Sequence, residues 1–144
     1  LDFTLTGKPD RIDLLADGRL YLIDYKTGAP PTKAQQKHFD KQLFLTAAMA
    51  EGGGFRGLDP TEVAKLSFVG LKADLVIETA DLEPGEVAEV WAEFGRLMAS
   101  YARPDQGYTA RRALESVRDA SDYDHLSRFG EWDMTDDPAP EDLA

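Results

Sequence analysis

Residues 7–28 read GKPDRIDLLADGRLYLIDYKTG, and the fold turns on how this stretch pairs with itself. Two apolar runs, residues 10–15 and 19–26, carry Ile and Leu and are bounded by Gly and Pro, as strands are. Between them stands Asp17-Gly18, a strong short-range hairpin signal. Side chains alternate faces along a strand, so a slip of one residue moves a whole set to the other side. A two-residue loop at Asp17-Gly18 would set Asp10 opposite Tyr25, on the face away from Asp24. A three-residue loop, Ala16-Asp17-Gly18, is a type I turn closed by a left-handed glycine. It pairs Leu15 with Arg19, Leu14 with Leu20, Ile12 with Leu22 and Asp10 with Asp24. This second register is the expected one, because it gathers Ile12, Leu14, Leu20 and Leu22 for burial on one face. It also places Asp10 beside Asp24 at the strand ends, with Lys26 next along the same face.

Two carboxylates side by side repel unless a cation lies between them. Hard cations such as Mg²⁺ take carboxylate, water and phosphate oxygens. Lys26 would then be a point charge within reach of the same phosphate, or a group that orients the attacking water. A salt-linked surface hairpin would use the same residues, and an isolated D…DxK fits that reading better.

The wider pattern is more specific. Gly7, Asp10-Arg11-Ile12-Asp13, Asp24-Tyr25-Lys26-Thr27-Gly28 and, on a following helix, Gln42-Leu43 together resemble the nuclease domain of the RecB-like branch of the PD-(D/E)xK superfamily. The ending Asp122-Tyr123-Asp124-His125-Leu126-Ser127-Arg128-Phe129-Gly130-Glu131-Trp132 resembles the C-terminus of AddB-type subunits of bacterial AddAB helicase–nucleases. The resemblance implies an α/β fold, a restriction-endonuclease-like mixed sheet flanked by helices. It implies that Asp10, Asp24 and the main-chain carbonyl of Tyr25 hold Mg²⁺ or Mn²⁺, that Lys26 is catalytic, and that Gln42 lines the site. It further implies DNA as substrate, an AddA-type helicase subunit as partner, end processing in double-strand break repair, and a cytoplasmic, nucleoid-associated location. Members usually carry another His or Glu metal ligand on a helix before the first strand. This chain opens with Leu1 rather than Met, and the expectation is a piece of a longer protein that begins after that ligand. The alternative function is a catalytically idle scaffold or DNA-holding domain of the same complex.

Composition sets further bounds. The 144 residues are 42% apolar and 30% charged, enough for one domain with a core. The nuclease domain is expected over residues 1–132, with an acidic, disordered tail over 133–144. No apolar run approaches a membrane span. The absence of cysteine excludes a disulfide framework and a cysteine-held zinc or iron–sulfur site. Some AddB-type domains carry a four-cysteine cluster; none is expected here. Net charge is −11, awkward for a DNA-binding protein. Residues 1–45 hold seven Lys/Arg and six Asp/Glu, whereas residues 46–144 hold nine and twenty-one. The site half is therefore close to neutral, and the acidic half would repel DNA unless it faces away or meets a basic partner.

Along the rest of the chain, residues 1–7 alternate weakly, as a strand leading into the hairpin would. Thr32 reads as the N-cap of one helix over residues 33–50. Gln42 on that helix needs a hydrogen-bond partner, which either a backbone carbonyl or an active site could supply. Thr46 stands where the family often has tyrosine. Residues 66–71 and 75–79 read as two buried strands. Residues 85–103 read as a second helix with Val87, Val90, Trp91, Phe94, Leu97, Met98 and Tyr101 in the core. Arg111, Arg112 and Arg118 offer phosphate contacts or a solvated face. His38 and His125 have no second ligand at metal-binding spacing. No Ser-His-Asp arrangement and no phosphate-cradling glycine loop is present, so no ATPase motor is encoded.

Overall fold

The computed structural model describes residues 2–72, 75–106, 131, 133 and 135. The elements run β1 (Arg11–Leu14), β2 (Leu20–Lys26), α1 (Lys33–His38), α2 (Gln42–Glu51), β3 (Val63–Gly70), β4 (Val76–Asp81) and α3 (Glu86–Tyr101). The strands form one mixed sheet in the order β1-β2-β3-β4. β1 and β2 are antiparallel, β2 and β3 parallel, β3 and β4 antiparallel. The parallel pair needs a crossover, and α1 and α2 supply it. This is the expected α/β fold.

The hairpin adopts the three-residue loop. Leu14 pairs with Leu20 and Ile12 with Leu22. Leu15 N–H donates to Arg19 O at 2.8 Å, and Gly18 stands at φ 86°. Asp17 ties the turn: its Oδ1 accepts from Arg19 N and its Oδ2 from the Arg19 guanidinium. Burial of the shared aliphatic face is uneven, however. Leu20 and Leu22 are fully buried and Ile12 half-buried, but Leu14 is 72% exposed. α2 lies over β2 and β3, so cover fades toward the turn end of the edge strand β1.

The core collects Leu20, Leu22, Leu43, Phe44, Ala47, Ala50, Val63, Leu66 and Phe68, with Val87 and Val90 of α3. Each large side chain withdrawn there contributes roughly 1.5–3 kcal/mol. On the opposite face of β2, the Tyr21 hydroxyl donates to buried Ser67 Oγ at 2.8 Å, and Ser67 and Thr79 share a 2.9 Å bond.

Four expectations need correction. Residues 2–9 carry no regular secondary structure and are not a strand. The helix expected over residues 33–50 is two helices. Phe39 leaves helical geometry at φ −129°, ψ −50°, and Asp40 Oδ1 accepts from Gln42 N at 3.3 Å, a local bond that competes with helix continuation. The Thr32 cap stands, as a full capping box with Gln35. Among the described residues β4 is an edge strand, and Leu75, Val76 and Ile77 are exposed rather than buried. On α3, Val87 and Val90 are buried and Phe94 and Met98 half-buried, but Trp91, Leu97 and Tyr101 are exposed. Trp91 stacks on Phe94, and Phe94 meets Phe3 edge-on.

The chain divides into two compact units, residues 1–99 and 100–144. The first holds the sheet and the site. In the second, Arg103 pairs with Asp105, and Ser100 Oγ donates to Gln106. Arg111, Arg112, Arg118, His125, nearly all of the 122–132 motif and most of the acidic tail lie outside the described residues.

Candidate active site

β2 carries its polar residues at its C-terminal end. Asp24 and Lys26 share a face with Leu20 and Leu22, since alternate residues point the same way. In the parallel register Asp24 stands beside Phe68 and Lys26 beside Gly70. Asp24 is only 6% exposed, so its carboxylate requires partners. It has two. Gln42 Nε2 donates to Asp24 Oδ1 at 2.7 Å. Lys26 Nζ lies 2.9 Å from Asp24 Oδ2 and donates to Gln42 Oε1 at 2.8 Å. Carboxylate, ammonium and amide thus close a ring, and only this amide orientation matches donors to acceptors. The Lys26 ammonium also lies 5.3 Å from the centre of the Phe68 ring.

The α1–α2 break is what delivers Gln42. It restarts the helix at Gln42, in the first turn, above β2. Thr46 Oγ1 donates back to Gln42 O at 2.8 Å, so the residue in the tyrosine's place steadies the glutamine's own backbone. Of the two kinds of partner open to its side chain, Gln42 takes the side chains of Asp24 and Lys26 rather than a backbone carbonyl.

Asp24 Oδ2 is the buried side-chain atom left without a hydrogen bond of good geometry among the described residues; its contact with Lys26 is a charge pair. A second unused oxygen lies nearby. Odd-numbered β2 residues bond toward β1 and even-numbered ones toward β3, as the bond from Leu71 N to Lys26 O shows. Along the hairpin, Leu15/Arg19, Asp13/Tyr21 and Arg11/Ile23 take the hydrogen-bonded positions, so Pro9/Tyr25 would be next. Pro9 has no N–H to offer. The Tyr25 carbonyl therefore faces β1 without a ladder donor, and the Tyr25 N–H is taken by Asp10 Oδ2 at 2.9 Å. Asp10, just before β1, and Asp24, within β2, each have a donor of their own.

Arg11 is on the other face. Its guanidinium bonds Asp13 at 2.8 Å and the Tyr25 hydroxyl at 3.4 Å, and these bonds, Asp13 first, push its pKa above the usual value. Sequence reasoning missed Gly70. A Cβ there would sit 2.9 Å from Pro30 Cδ, so glycine lets the Gly28–Pro31 turn pass close over β3 beside Lys26. A glycine ending a strand run was the available signal.

Residues 1–132 match the PD-(D/E)XK nuclease superfamily. The chain belongs to that superfamily. No curated protein and no solved structure matches it. PD-(D/E)XK nucleases generally use divalent metals, and the donor set here suits a hard cation: the Asp10 carboxylate, Asp24 Oδ2 and the Tyr25 carbonyl are all oxygens. No group of three or more His, Cys, Asp or Glu side chains clusters among the described residues.

Proposed function

We propose that this domain hydrolyses DNA phosphodiester bonds with Mg²⁺ or Mn²⁺, and that Asp10, Asp24 and the Tyr25 carbonyl hold the metal. The observation that carries the reading is the Asp24–Lys26–Gln42 ring, closed beside Asp10 at the end of one hairpin. A bound divalent ion supplies an acidified water and neutralises phosphate charge. Lys26 is the catalytic cation that stabilises negative charge developing on the phosphate. Gln42 fixes the direction of the Lys26 ammonium and holds Asp24 Oδ1, leaving Oδ2 for the metal.

The AddB-like ending at residues 122–132 supports a finer assignment: a nuclease domain of an AddAB-type complex, paired with an AddA-type helicase subunit. Its work would be end processing during double-strand break repair, in the cytoplasm at the nucleoid. A basic partner also suits the charge of −11. That same charge favours a second reading, a catalytically idle domain. Incubation of linear duplex and single-stranded DNA with the wild type and Asp24→Asn, with and without Mg²⁺, separates them. The nuclease reading expects Mg²⁺-dependent cleavage that falls to background in the variant. Equal, metal-independent background from both proteins leaves the idle domain.

A further inference from the structure

Basic side chains are scarce in this chain, yet residues 26–41 contain four lysines against one aspartate. Three of them, Lys33, Lys37 and Lys41, line one groove between α1 and β4, together with Gln36, Phe44, Thr79, Ala80 and Glu86. The cavity is about 340 Å³. Lys33 and Lys37 are one helical turn apart, about 6 Å of rise. Lys41 follows the helix break, its ammonium held 5.4 Å from the centre of the Phe44 ring. Among the described residues none of the three is in an ion pair. Glu86 is the one carboxylate of the lining, on the far wall, and it accepts from Glu83 N. Between Lys37 and Lys41 in the chain, Phe39 is 54% exposed on the break itself.

We propose that the α1–β4 groove binds the backbone of single-stranded DNA, with Lys33, Lys37 and Lys41 on successive phosphates and Phe39 stacking on a base. Charge complementarity identifies the occupant: cations with no ion pair among the described residues of an acidic protein suit a polyanion, and an exposed aromatic between two of them in the chain suits an unstacked base. The ligand's identity rests on the deoxyribonuclease reading. Single-strand preference follows from Phe39, which a closed duplex would leave unused.

The test measures binding in chelator, where no cleavage intrudes. Fluorescence anisotropy of a labelled oligothymidylate is followed against salt for the full chain, for K33A/K37A/K41A and for Phe39→Ala. The triple variant is expected to lose affinity on the order of tenfold or more at low salt. Its log–log salt slope should fall by about 2, near 0.7 per lost phosphate contact. Phe39→Ala should weaken binding with the slope kept. An unchanged slope in the triple variant, or no binding by the wild type, overturns the groove. Equal losses on a duplex of the same length overturn the single-strand assignment. Hydrolysis of bis(p-nitrophenyl) phosphate with Mn²⁺ uses no groove. Its absence alongside the expected binding results would sink the nuclease reading alone, and its presence with an unchanged slope would sink the groove alone.

Discussion

Asp24 is a carboxylate at 6% exposure, and its tolerance depends on Lys26 and Gln42. The two neighbours differ from a metal ligand in a measurable way. An ammonium cannot coordinate a cation, whereas a carboxylate oxygen can. Calorimetric titration with Mn²⁺ is expected to show binding lost in Asp24→Asn and retained in Lys26→Ala. Equal loss in both would make Lys26 a structural residue. Lys26→Ala also leaves Asp24 Oδ2 buried without its counter-charge, an expected cost of roughly 1–3 kcal/mol in chelator. That Asp24 and Lys26 come together was legible, because alternation along a strand fixes which residues share a face. The hydrogen bond from Gln42 was half-legible. A glutamine set beside an apolar helix run suggests a partner, but not which one, until the helix that carries it has been placed.

The strand ends and turns show what local chemistry does for the elements. Gly70→Ala introduces a methyl 2.9 Å from a proline ring that cannot rotate away. The expected loss is about 1–3 kcal/mol, read by thermal melting, and an unchanged melt would mean that the 28–31 turn is free to lift. At the hairpin loop, the Arg19 side chain, then the Arg19 backbone N–H, hold the Asp17 carboxyl below its ordinary range. A carboxyl whose pKa is depressed in the fold stabilises it above the unfolded pKa, and that contribution is lost as pH falls through the folded pKa. Between about pH 5 and about pH 2 the wild type should therefore lose more melting temperature than Asp17→Asn. The effect is small because the pair is exposed, and parallel curves for the two proteins would count against it. The hairpin register was legible because turn type and alternation agree. The α1–α2 break was not, since residues 33–50 have ordinary helical composition, and the deciding event is one aspartate side chain bonding a backbone N–H two residues on.

For the molecule as a whole, the mixed α/β sheet followed from the order of apolar runs, and the PD-(D/E)XK superfamily from the motifs on the first hairpin and the first crossover. Burial was less legible, because apolar content does not say which strand is central. β3 has neighbours on both sides and is mostly buried, while β4 has, among the described residues, a partner on one side only and leaves Val76 and Ile77 exposed. Similarly, helical spacing identified α3 but not how much of its apolar stripe would find cover. The shortness of β1 has one more outcome. An edge strand offers its outer N–H and C=O groups to any other chain, and long edges seed aggregation. β1 lasts four residues and carries the Arg11–Asp13 ion pair on one face. So short and charged an edge gives a second copy of this protein little template on which to add a strand.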